Sequence, residues 1–187
     1  MALTTVWVWQ LEFVTFASDA DMEYGMIDST VIRAHPCAAG AKKHGEQSLG
    51  RSRGGFSTKI HLTVDALGLP LRFILTGGQC HDSTQAQALL DGFEFDKLLA
   101  GRGYSAQHFI DYFLNRGIEA VVPPHQRAKI LREYDKWVYR ERALVECFMN
   151  KIKQNPWIDY HRNKLRCISP IHPSGTDFVW NNHSKLR

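Results

Sequence analysis

The chain has 187 residues, 44% hydrophobic and 22% charged, with a formal net charge of +4. That is enough apolar sequence to bury one sizeable core and little more, so one domain with ragged ends is expected. Cys37, Cys80, Cys147 and Cys167 show no C-x-x-C spacing, which argues against both a zinc site and a disulfide framework and fits reduced thiols in a cytoplasmic protein. Cys80-His81-Asp82 and His35-Pro36-Cys37 are the only metal-like pairings, and neither supplies the two close ligand pairs of tetrahedral zinc. The basic excess is local: from Val31 to His61 the residues Arg33, Lys42, Lys43, Arg51, Arg53 and Lys59 face a single acid, Glu46, for a net +5.

Residues 1–17 are apolar but carry no Lys or Arg, and Gln10 and Glu12 interrupt them. Neither a signal peptide nor a membrane span is expected, and the alternation of Trp7, Trp9, Leu11 and Phe13 suits a strand. Tyr24 to Asp28 reads as a short buried strand ending in an acid, followed by a long Gly- and Lys-rich loop through Gly55. Phe56 to Asp65 alternates, with Phe56, Thr58, Ile60, Leu62 and Val64 on one face, which predicts a half-buried strand. Leu67-Gly-Leu-Pro70 supplies a turn and Leu71 to Thr76 a returning strand, so the first three strands form an antiparallel meander.

Ser83 is a candidate N-cap for a helix ending at Gly92. Asp96 to Ala100 predicts a short apolar strand. Ser105 to Arg116 predicts an amphipathic helix with Phe109, Ile110, Phe113 and Leu114 toward the core and Gly117 as its cap. Ile118 to Val122, stopped by Pro123-Pro124, predicts a fifth strand. Helix, strand, helix and strand after a meander mean an α/β domain whose later strands run parallel to the first.

Tyr139 to Lys153 predicts a long helix with Tyr139, Arg142, Glu146 and Lys153 along one side. An acid between two bases reads either as ordinary surface ion pairing or as a site that handles metal and phosphate. Beyond Gln154 the periodicity is lost, and Pro156, Pro170, Pro173 and Gly175 predict an irregular tail.

This order of elements is the ribonuclease H-like arrangement: a mixed sheet of a three-strand antiparallel meander plus two parallel strands, flanked by helices. Met26-Ile-Asp28-Ser-Thr, Arg33-Ala-His, Gly50-Arg-Ser-Arg-Gly-Gly55, Thr58-Lys-Ile-His61, Gly77-Gly-Gln-Cys-His-Asp82 and Val121-Val-Pro-Pro resemble insertion-sequence transposases of the IS-five type. The Tyr139, Arg142, Glu146, Lys153 spacing matches that superfamily's Y-x2-R-x3-E-x6-K signature. The resemblance spans about residues 18–155, with 1–17 as an unlike extension and 156–187 as a tail that suggests a frameshifted or truncated reading frame. The helical DNA-binding region usual upstream in the family has no counterpart here.

The resemblance implies a DNA-cleaving and strand-joining enzyme, with insertion-sequence ends and target DNA as partners and a homodimer as the working form. It implies three carboxylates, in the order Asp, Asp, Glu, holding two Mg²⁺ or Mn²⁺ ions. Two such ions about 4 Å apart clamp the attacking and leaving oxygens of a phosphodiester displacement. Asp28 maps onto the first acid and Glu146 onto the last. Gly101 stands in the position of the second, so a metal pair is expected to be incomplete and catalysis impaired. Asp96, about 16 Å back along its strand, and Asp82, in a separate motif, are not expected to substitute. Lys42, Lys43, Arg51, Arg53 and Lys59, with Tyr139, Arg142 and Lys153, are the candidate DNA contacts. Gly50 to Gly55 lacks the Gly-Lys-Ser/Thr ending of a nucleotide P-loop.

Overall fold

A computed structural model describes residues 20–34, 48–128 and 132–154, together with the backbone of three strands in the tail. The expectations for residues 1–17 and for His35, Cys37, Lys42 and Lys43 lie outside the described residues. Its main sheet contains β1 (Tyr24–Arg33), β2 (Gly50–Ser52), β3 (Gly55–Val64), β4 (Pro70–Gly77), β5 (Lys97–Ala100) and β6 (Glu119–Val121). The order is β2-β3-β1-β5-β6, with β4 also on β3; β1, β3 and β4 pair antiparallel, and β5 and β6 run parallel to β1. This is the ribonuclease H-like topology expected from the sequence.

Three helices flank the sheet: α1 (Ala86–Leu90), α2 (Gln107–Asn115) and α3 (Ala143–Gln154). Alternation along the strands divides the core in two. Ile27, Leu98 and Ala100 pack with Leu89, Leu90, Phe109 and Phe113 of α1 and α2. Met26, Leu62, Val64, Leu99 and Val121 pack with Val145 and Met149 of α3. Gly25 admits the Phe95 ring against β1, where a Cβ would lie 2.7 Å from the ring. Asp65 closes the β3–β4 hairpin by accepting the backbone N–H groups of Asp21, Leu67 and Leu69. Gly117, at φ +75°, ends α2 with N–H bonds from Gly117 to the Leu114 carbonyl and from Ile118 to that of Phe113.

Several local expectations are corrected. β1 does not stop at Asp28, because Ser29 to Arg33 pair with Ser57 to His61 of β3. Part of the expected loop is β2, which continues the β3 edge that β4 leaves free. β3 is buried on both faces, since helices cover both sides of a central strand, and Phe56 at its start is exposed. The α1 region opens with a 3-10 turn (Asp82–Gln85) capped by His81 rather than Ser83. Leu114 turns to solvent, one residue past the stripe that faces the core. Tyr139 and Arg142 lie on a 3-10 turn (Val138–Arg142) before α3, set up by Asp135, which accepts the N–H groups of Trp137 and Val138. In the tail, β7 (Ile158–His161), β8 (Lys164–Ile168) and β9 (Asp177–Val179) form a separate antiparallel sheet; runs this short carry no readable periodicity.

His61 shows the cost of two-sided burial. It is fully buried, its Nε2 lies 2.8 Å from Thr76 Oγ1, and its Nδ1 has no partner among the described residues. Burial pushes its pKa down from 6.5 to about 4, against the pull of Asp82. The folded state therefore holds the ring neutral where the unfolded chain protonates it, so stability falls as pH drops from 6.5 toward 4. The loss is on the order of 3 kcal/mol. Urea midpoints measured from pH 7.5 to 4.5 should fall over this window, and the slope should flatten in His61→Gln.

Candidate active site

Strand register places the first acid. Ile27 of β1 pairs with Ala100 at the end of β5, so Asp28 stands beside Gly101, the next residue of the other strand. Asp28 shares its face with Met26 and Thr30, turned toward α3, whereas Ile27 and Ser29 point to the α1 and α2 side. Val145 and Met149 fix the rotation of α3 on the sheet, which brings Arg142 and Glu146 over the middle of β1.

Arg142 joins the two acids. Its Nη2 donates to Asp28 Oδ2 at 2.9 Å across 114 residues of sequence, and its Nη1 donates to Glu146 Oε1 one helical turn on. The Tyr139 ring lies 5.9 Å from the guanidinium, as the eclipsed i,i+3 geometry of a 3-10 turn allows. The Arg142 side chain is only 15% exposed, and its Nε has no hydrogen-bond partner among the described residues. Burial pushes the Asp28 carboxyl above the ordinary carboxylate value, and Arg142 only partly counters it. Burial alone would lower the Arg142 pKa, but Asp28, Tyr139 and Glu146 together hold it above its usual value.

A cleft of about 170 Å³ opens here, lined by Asp28, Ser29, Thr30, Glu146, Met149, Asn150 and Lys153. A larger hollow of about 670 Å³ lies toward the starting end of β5, among Glu23, Glu94, Asp96 and Arg116. Its lining has no pair of acids joined by one arginine as Asp28 and Glu146 are. Asp96 belongs to that far hollow, in keeping with the separation expected along its strand.

A second polar group supports the site from the other face of the sheet. Lys59 Nζ donates to Asp82 Oδ1 at 2.8 Å and to the Cys80 carbonyl at 2.6 Å, and Ser29 also bonds to Asp82. Burial would raise the Asp82 pKa, but these hydrogen bonds pull it below the ordinary value. The buried Tyr104 hydroxyl faces Ser29, and its pKa is driven up by burial, then by Asp82 and Asp28. Asp82 also packs by Gly103. The Lys59, Asp82 and Ser29 group ties the middle of β1 to the turn after β5, where Asp82 meets Gly103. Strand parity separates Ser29 from Asp28 in the sequence, but nothing there showed that Ser29, Tyr104 and Asp82 would meet.

The candidate DNA contacts divide. Arg51 on β2 and Arg53 in the β2–β3 turn are exposed, and Arg33 packs over Gly54 beside them. Lys153 lines the cleft. Lys59 is turned inward to Asp82, so its charge is spent within the protein; Arg142 is likewise engaged by two acids, and Tyr139 is half-buried against Tyr134.

The donor set does not fit a pair of divalent ions. Among the described residues no three His, Cys, Asp or Glu side chains come together, Gly101 has no side-chain oxygen and its carbonyl accepts from the Tyr104 N–H, and an arginine lies between Asp28 and Glu146. His81 and Cys80 are used locally, by Ser83 and Thr84. Among the described residues no helix is long and apolar enough to cross a membrane.

Residues 19–172 match the family described as Transposase DDE domain. The chain is 37% identical over 115 residues to a Brucella ovis protein described as a transposase for insertion sequence element IS6501, covering 59% of this chain and 83% of that protein. It is 30% identical over 139 residues to a Burkholderia cepacia protein described as a transposase for insertion sequence element IS402, covering 68% of this chain and 59% of that one. A piggyBac transposase synaptic complex with hairpin DNA overlays with a TM-score of 0.46 at 9% identity, covering 65% of this chain and 27% of the other. The fold assignment rests on strand order, not on that overlay.

The inward pairing of Lys59 has a measurable consequence. Lys59→Met leaves Asp82 short of its cation in a largely buried setting and should lower stability by about 2 kcal/mol, less than a fully buried pair because Asp82 keeps some solvent. Chemical denaturation measures this; a residue serving only as a DNA contact would leave the midpoint unmoved.

Proposed function

Because the chain belongs to the Transposase DDE domain family, we propose that it is the catalytic core of an insertion-sequence transposase whose DNA-cutting step is impaired by Gly101. The observation that carries this reading is the meeting of Asp28 and Glu146 on one arginine, at the crest of the sheet beside Gly101. Two acids from distant parts of the chain are held where a third, at position 101, would complete the set. The family works with a divalent metal, for which Mg²⁺ or Mn²⁺ suits carboxylate oxygens. With Gly101 in place no catalytic step is assigned to a metal pair here.

The remaining assignments follow the same reading. The element is of the IS-five type, on the motifs around Asp28, His61, Asp82 and Glu146. The core spans residues 18–155, between an extension at 1–17 and a tail at 156–187. DNA is the partner, gripped at its phosphates by the exposed Arg51 and Arg53 and by Lys153 in the cleft, with Lys42 and Lys43 in the same basic segment. Lys59, Tyr139 and Arg142 reach DNA only if their internal contacts open. The working form is a homodimer in the cytoplasm, since two transposon ends must be brought together. A second reading, a DNA-binding remnant that cannot cut, is favoured by the same glycine.

Cleavage of a labelled duplex carrying the ends of its own insertion sequence, with Mg²⁺ or Mn²⁺, tests both. The chain should bind without cutting, and Gly101→Asp should raise cutting at least about 100-fold, a gain on the scale of restored electrostatic stabilisation. Position 101 accepts a side chain, since a Cβ there would sit 3.4 Å from Arg142 Nη2 and its φ is −72°. Robust cutting by the unaltered chain contradicts impairment, and a Gly101→Asp chain that binds but stays inert favours the remnant. Replacing Arg51 and Arg53 by Ala should weaken binding and make the slope of log affinity against log salt shallower by about 2.

A further inference from the structure

Gly101 removes a ligand, and the geometry around it points to more than a loss. We infer that the Arg142 guanidinium is the resident cation of this site, held across Asp28 and Glu146 and laid against Gly101, so that a divalent ion can bind only by displacing it. The inference takes Asp28 and Glu146 as the paired acids of the proposed function, but it concerns cation occupancy alone.

Three observations support it. First, the guanidinium gives one N–H edge to each acid, Nη2 to Asp28 and Nη1 to Glu146, so a single group neutralises part of both charges. Arginine suits this because its planar fork presents several donors in fixed directions, where an ammonium is a single point. Second, it lies in van der Waals contact with the point where a side chain at 101 would begin. A Cβ built on Gly101 would lie 3.4 Å from Nη2, 3.7 Å from Cζ and 3.8 Å from Nε. Third, Arg142 is largely buried, and its Nε is left without a hydrogen-bond partner among the described residues, on the side facing Gly101. A carboxylate at 101 would be placed to accept from it.

Charge decides the competition. Two carboxylates and one guanidinium leave a local charge of about −1, and Lys153 at the cleft wall brings it nearer to zero. A divalent ion entering between the acids meets one positive group already bonded to both, and no third acid offsets the repulsion. The site therefore opposes divalent ions actively. Removing the arginine should uncover a single-ion site made by Asp28 and Glu146, latent in the present chain.

Manganese binding to the full chain tests this without DNA, by the electron paramagnetic resonance signal of free Mn²⁺ and by thermal unfolding in Mn²⁺ against EDTA. The unaltered chain should bind weakly and show no Mn²⁺-dependent shift. Arg142→Gln should bind one Mn²⁺ at least tenfold more tightly, and should melt lower in EDTA but recover in Mn²⁺, because Asp28 loses its ion-pair partner among the described residues. Adding Glu146→Gln should remove the gain. Arg142→Lys, whose ammonium cannot span both acids, should fall between, and serves if Arg142→Gln does not fold. Tight binding by the unaltered chain, or no gain in a folded variant at position 142, overturns the inference. Failure of Gly101→Asp to cut DNA would leave the Mn²⁺ result standing, so the two readings fail separately.

Discussion

The site depends on where β1 sits. Among the described residues it is the strand that pairs antiparallel on one side, with β3, and parallel on the other, with β5. The register against β5 puts Asp28 beside Gly101, and the register against β3 puts Ser29 beside His61. Because neighbouring side chains on a strand point to opposite faces, Asp28 is delivered to the α3 side and Ser29 to the Asp82 network. A shift of one residue would exchange the two and leave Arg142 facing a serine.

Around that register the electrostatics are arranged asymmetrically. On the Asp82 side the hydrogen bonds from Lys59 and Ser29 win over burial, and the carboxyl is held below its usual pKa. On the Asp28 side burial wins over Arg142, and the carboxyl is held above it. The first acid is fully served by its partners and braces the turn after β5. At the second, Arg142 offsets the cost of burying the charge only in part. Ser29, which bonds to the Asp82 of one ion pair, and Asp28, which pairs with Arg142, are thus neighbours on β1 that face opposite sides of one sheet.

Much of this was legible in the sequence, for identifiable reasons. The five main strands and their pairing sense followed from apolar runs of strand length, turn residues between them and the alternation with helices. The candidate acids Asp28 and Glu146 came from the resemblance to insertion-sequence transposases, since spacing alone reads equally as surface ion pairing. What failed was local. β1 and β2 continue through polar, Gly-rich text because β3 offers them unpaired backbone, which no periodicity records. Lys59 and Arg142 read as free charges because the carboxylates that engage them, Asp82 and Asp28, are distant in the chain. Tyr139 and Arg142 read as α-helical, but Asp135 tightens that turn to 3-10.

By itself the sequence determined the class of fold and, through its resemblance to a family, offered Asp28 and Glu146 as candidate acids with a glycine at 101, since fold class depends on residue type, order and spacing along one dimension. Only the tertiary structure decided which group meets Asp28 and Glu146 beside Gly101. Arg142 lies over Gly101 because β1 register, the end of β5 and the seating of Val145 and Met149 converge there, and charges 114 residues apart compete only once folding has made them neighbours.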